Sequence, residues 1–125
     1  MKTIGVVCWS SNDGQKILKC LQGFGLGCEK IMCLGPREIK SGFLGEGQFE
    51  FPDVVICYDE SESAAYLKSK LPKATIIMLD NGWRAADKDK TKIMGPWHYY
   101  QAWHFPATDS QRAKLENKIR EFLAQ

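Results

Sequence analysis

A chain of 125 residues with 44% hydrophobic and 26% charged side chains has room for one domain built around a single core. Seventeen lysines and arginines against 15 acids leave a formal net charge of +2, too small a basic excess for a dedicated nucleic-acid binder. The opening apolar run, MKTIGVVCW, breaks at Ser10-Ser11-Asn12-Asp13, short of a membrane span, and no small-residue cleavage pattern follows, so neither membrane nor secretion is expected.

Strand-like and helix-like stretches alternate along the sequence. Ile4 to Ser10 is a short apolar run ending in turn residues and predicts a first strand. Asp13 to Phe24 places Ile17, Leu18, Leu21 and Phe24 on one helical stripe, with Asn12 or Asp13 as the expected cap. Gly23, Gly25 and Gly27 stop that helix. Lys30 to Leu34 predicts the second strand. From Gly35 to Phe51 four glycines (Gly35, Gly42, Gly45, Gly47) leave space for only a short helix over Arg37 to Leu44. Val54 to Tyr58 is an almost wholly apolar third strand. Ser61 to Leu71 predicts a helix with Ala64, Leu67 and Leu71 inward, ended by Pro72. Ala74 to Leu79 is the fourth strand. A short helix over Arg84 to Asp89 precedes a fifth strand at Tyr100 to Phe105. Thr108 and Gln111 form a capping box for a last helix, Asp109 to Ala124, that buries Leu115, Ile119, Phe122 and Leu123.

Central strands that are apolar throughout and alternate with helices predict a parallel sheet covered on both faces. With right-handed crossovers this is a three-layer α/β sandwich of flavodoxin-like type, five strands in the order 2-1-3-4-5, one domain over residues 1–125. A ligand crevice is then expected beyond the carboxyl ends of strands one and three. Five cysteines (Cys8, Cys20, Cys28, Cys33, Cys57) are an odd number without zinc-ligand spacing, as expected of reduced thiols in a cytoplasmic protein.

The segments that meet at that crevice resemble response-regulator receiver domains. PDVVICYDE (Pro52 to Glu60) is similar to the stretch leading to their phosphorylated aspartate, and AWHFPATDSQ resembles the stretch carrying their Lys-Pro pair before the last helix. The resemblance implies a signalling module, and it also exposes departures. Cys8 and Trp9 stand where receivers hold magnesium with an acidic pair. The phosphoacceptor position falls on Tyr58, with Asp59 one residue beyond, and Phe105 replaces the lysine. Asp80 occupies the place of a small hydroxyl residue. Phosphoryl transfer needs a metal and a cation to offset developing charge, so the resemblance implies a phosphorylation-incompetent receiver that acts by protein–protein interaction.

Other chemistries leave weaker traces. WSSNDGQ (Trp9 to Gln15) resembles the phosphate-binding loop of flavodoxins, which makes FMN the alternative to having no cofactor, although Asp13 opposes a phosphate and helix capping explains the same residues. Candidate anion or cofactor contacts are therefore Ser10, Ser11, Asn12, Asp59 and Asp80. Cys8 sits where a low-molecular-weight phosphatase has its nucleophile, but Gln15 lies near the place of the required arginine. His98 and His104 are awkwardly spaced for a shared metal. No catalytic residue and no metal-ligand set is expected. The dense run GPWHYYQAWHF (Gly95 to Phe105) reads as a partner or homodimer surface through Trp97, Tyr99, Tyr100 and Trp103, with at least two of these rings expected to be substantially exposed.

Overall fold

The computed structural model describes residues 3–8, 11–27, 30–34, 53–58, 66–69, 72–80 and 97–125. Five strands form one sheet: β1 (Thr3–Val7), β2 (Lys30–Leu34), β3 (Val54–Tyr58), β4 (Thr75–Asp80) and β5 (Tyr99–Ala102). They lie in the order β2-β1-β3-β4-β5, and every neighbouring pair is parallel. Helix α1 (Ser11–Gly23) follows β1, and α2 (Asp109–Leu123) follows β5. The expected short helices over Arg37 to Leu44 and Arg84 to Asp89 lie outside the described residues.

Apolar side chains on both sides of the strands explain the parallel arrangement. Successive residues point to opposite faces, so a strand without polar positions must be covered twice. Ile4, Val6, Val54, Ile56, Ile77 and Leu79 meet Ile17 and Leu21 of α1 and Leu115 and Ile119 of α2 on one face. Val7, Val55, Cys57, Ile76 and Met78 form the core of the other face, where the described cover is Leu67 in a helical turn at residues 66–69. Leu67 is wholly buried, as its place on the expected inward stripe requires. Ala64 and Leu71, assigned to the same stripe, are outside the described residues.

Asp53 ties the amino-terminal ends of three strands together. Its Oδ2 accepts the Thr3 N–H at 2.8 Å, its own N–H donates to the Thr3 carbonyl at 3.0 Å, and its carbonyl accepts the Thr75 N–H at 2.9 Å. At the other end of the chain the capping box forms as expected: the Thr108 hydroxyl accepts the Gln111 N–H and the Gln111 side chain accepts the Thr108 N–H, each at 3.1 Å. Beyond α1 the backbone turns through Gly25 and Gly27, whose φ of 62° and 70° lie in the left-handed region that glycine occupies without steric cost.

Several boundaries differ from the sequence reading, most by one residue and three with more consequence. β1 ends at Val7 rather than Ser10, and α1 already begins at Ser11, so Asn12 and Asp13 lie in its first turn instead of capping it. β5 runs from Tyr99 to Ala102 and does not reach Phe105. After Trp103 donates its N–H to the Asp80 carbonyl at 2.6 Å, the chain leaves the ladder and enters a cis Phe105–Pro106 peptide.

The aromatic run is where the sequence reading needs correction. Trp103 is 1% exposed, inside the core formed with α1 and α2, so it is not an interface residue. Strand alternation divides the others. Tyr99 packs against the α1–α2 side, while Trp97 and Tyr100 pack against the opposite core with ring centroids 6.3 Å apart. All three are half-buried. The expected single exposed patch is thus a set of rings split between two faces of an edge strand. Removing the largest buried ring leaves a cavity that the surrounding strands and helices cannot close. Trp103→Ala should therefore lower unfolding free energy by roughly 3–5 kcal/mol in a urea titration, against about 1 kcal/mol for removing the cap by Thr108→Ala.

Candidate functional site at the carboxyl end of the sheet

The carboxyl ends of β1, β3 and β4, with the segment after β5, bring Cys8, Tyr58, Asp80 and Phe105 to one end of the sheet. Three of these positions are filled by packing. Cys8 is 5% and Tyr58 7% exposed, both in the core beneath α1 and α2, and half-buried Phe105 packs against the same cluster. The Tyr58 and Phe105 rings meet edge to face, with centroids 5.3 Å apart and an interplanar angle of 63°. That is the geometry in which the positive edge of one ring faces the negative face of the other. Lys16, from the second turn of α1, places Nζ 5.2 Å from the Phe105 centroid, so the cation near this end is held by a ring face.

Asp80 is the polar member. It is 2% exposed, and its Oδ2 accepts the Tyr100 hydroxyl at 2.8 Å. A buried carboxylate is tolerable only with such donors, and the contact fixes Tyr100 on its face of the sheet. Tyr99 is tied to the opposite side. Its hydroxyl donates to Gln101 Oε1 at 2.8 Å, and Gln101 Nε2 donates to the Gln111 carbonyl in α2, also at 2.8 Å. Burial raises the Tyr99 hydroxyl above its ordinary value. The Lys118 ammonium lies 5.4 Å from its ring centroid.

Of the anion or cofactor candidates, Ser10 and Asp59 lie outside the described residues. Ser11 opens α1, Asn12 is exposed on its first turn, and Asp80 is committed to Tyr100. Asn12 and Asp80 therefore occupy different environments, solvent and core. Cys8, Cys20 and Cys57 are free thiols, and no group of three or more metal-ligating side chains occurs among the described residues. Burial pushes the Cys20 thiol up, opposed by the Arg112 charge and reinforced by Glu116. No described helix is long and apolar enough to cross a membrane.

Sequence reasoning missed two contacts. One is that of Lys16 with the Phe105 ring, which its place one turn after Asp13 in α1 brings about. The His98 ring also takes a structural place. Its Nδ1 accepts the Ile76 N–H at 3.1 Å, while the His98 backbone N–H donates to the Ile76 carbonyl at 2.8 Å, extending the β4–β5 ladder by one side chain.

No protein-family model matches the sequence, and no curated protein matches it. Solved structures do. The chain is similar to the BeF3-activated DrrB receiver domain with a TM-score of 0.68 and 19% identity, covering 100% of this chain and 99% of that one. It is similar to the bacteriophytochrome response regulator RtBRR with a TM-score of 0.64 and 18% identity, over 92% and 78% of the two chains. A response regulator receiver domain protein from Clostridium thermocellum aligns with a TM-score of 0.60 and 16% identity, over 97% and 95%. The chain has a receiver-like α/β fold.

The His98 contact gives a pH dependence. Burial first, and the Lys68 ammonium second, lower its pKa from the ordinary 6.5. Lys68 Nζ stands 3.2 Å from Nε2. A folded value below the unfolded one means that the neutral ring favours the folded state. That contribution is complete above pH 6.5 and is lost as pH falls through the lowered folded value. Melting temperature followed from neutral pH into the acid range should fall more steeply for the natural chain than for His98→Gln, which cannot acquire the charge.

Proposed function

We propose that this chain is a non-enzymatic signalling or adaptor module, a receiver-like domain that works by protein–protein interaction without aspartyl phosphorylation. The observation that carries the reading is the apolar packing of Cys8, Tyr58 and Phe105 in one cluster at the carboxyl end of the sheet. By the receiver resemblance these are the positions of a metal-holding acid, the phosphoacceptor and the lysine. Aromatic edge-to-face packing stands there in place of an anion–cation pair, and a site built this way gives a phosphoryl group neither the metal-holding acid nor the lysine of a receiver at these positions. The reading places the protein in the cytoplasm, without a flavin.

The interaction surface in this proposal is narrower than the whole aromatic run. Trp97 and Tyr100 stand together at the β5 edge, half-buried, on the face away from α1 and α2. Tryptophan and tyrosine presented this way combine large contact area with few rotatable bonds, the usual makings of an interface anchor. A protein partner or a second copy of the chain would cover them.

Incubation with acetyl phosphate and magnesium, followed by intact-mass measurement, tests the reading. The expected result is an unmodified mass at all incubation times. A phosphoryl adduct that disappears in Asp59→Asn would establish an ordinary phosphoacceptor and overturn it. Trp97→Ser should reduce self-association or partner capture in sedimentation experiments while the protein remains folded.

A further inference from the structure

A cavity of about 560 Å³ opens between α1, the segment after β5 and the start of α2. Lys16, Lys19 and Cys20 of α1 line one side, Trp103 and Phe105 line another, and Arg112 of α2 stands opposite. This volume falls within the range of small-molecule sites, which pair an apolar lining with a few placed polar groups. It lies on the face of the sheet opposite Trp97 and Tyr100, so it stands independently of the interaction surface proposed above.

The charges around it are unequally compensated. Arg112 is already committed: Nη1 donates to the Ala107 carbonyl at 2.7 Å and Nη2 is paired with Asp109. Glu116, the other carboxylate near Cys20, is paired with Arg120 at 3.1 Å. Lys16 faces the Phe105 ring at 5.2 Å, and neither Lys16 nor Lys19 forms an ion pair with another described residue. Two ammonium groups one helical turn apart thus overlook an apolar wall. Beneath that wall Trp103 is 1% exposed, and its Nε1 is buried without a hydrogen-bond partner among the described residues.

We propose that this cavity binds a small aromatic carboxylate, with its ring against the half-buried Phe105, above the buried Trp103, and its anionic group held by Lys16 and Lys19. Ring surfaces favour an aromatic body through offset or edge contacts. Lys16 and Lys19, without an ion-pair partner among the described residues, supply the charge complement, and Arg112, paired with Asp109, serves as a fixed wall rather than a third anion contact.

The probe is 1-naphthylacetate, titrated into the intact chain and followed by amide and indole resonances. The expected result is a saturable shift of the Trp103 indole N–H and of the Cys20 and Ala107 amides. Charged hydrogen bonds are worth about tenfold or more in affinity, so Lys16→Ala/Lys19→Ala should weaken binding at least about tenfold. Lys73→Ala, exposed before β4, should bind as the natural chain does. The neutral 2-(1-naphthyl)ethanol should bind weakly. Absence of a saturable shift, shifts that map elsewhere, equal binding of the neutral alcohol, or unchanged affinity in the double lysine variant would each overturn the proposal.

Discussion

A strand that is apolar on both faces has no side to give to water, and that condition governs this chain. Burial of β1 and β3 is complete along their lengths, and β4 departs from it only at Thr75. Two layers of cover are then required, and parallel neighbours joined through crossover segments supply them. Asp53 holds the amino-terminal ends of the same strands in register by bonding to Thr3 and Thr75. Loops that cannot be buried are left at the sheet ends, and the carboxyl end is where α/β sheets present their binding surfaces.

At that end the described side chains are taken up by packing and internal contacts. Tyr58 and Phe105 meet edge to face, Lys16 lies over the Phe105 ring, and the Asp80 carboxylate is occupied by the Tyr100 hydroxyl. The anion accepts an internal donor and Cys8 is buried in the core. The proposed adaptor role rests on this packing: a module built this way would act through its surfaces.

Much of the fold was legible because hydrophobic period and turn chemistry agree in most segments. β2 and β3 have the boundaries their apolar runs predict, and the Thr108–Gln111 box marks the start of α2 in the sequence itself. The β5 region was less legible. Alternation correctly implies that its rings divide between faces, but period alone does not reveal that Trp103 leaves the strand and turns into the core, because that depends on the α1 and α2 side chains waiting there. The Tyr58–Phe105 pair was legible only as two substituted positions. Their contact joins residues 58 and 105 across the sheet end and exists only once β3, β4 and β5 are in register. Cap assignment at α1 failed for a simpler reason: Ser11, Asn12 and Asp13 are all competent N-terminal residues, and composition does not choose among neighbours.

The central proposal is that aromatic packing between Tyr58 and Phe105 occupies the place of an aspartyl-phosphate site. Its most direct test is a titration of the protein with beryllofluoride and magnesium, monitored at the Tyr58 and Phe105 amide resonances. Packing predicts that both remain unmoved at every concentration. A saturable, magnesium-dependent shift at either residue would show a phosphoryl-mimic site at the end of β3 and contradict the account.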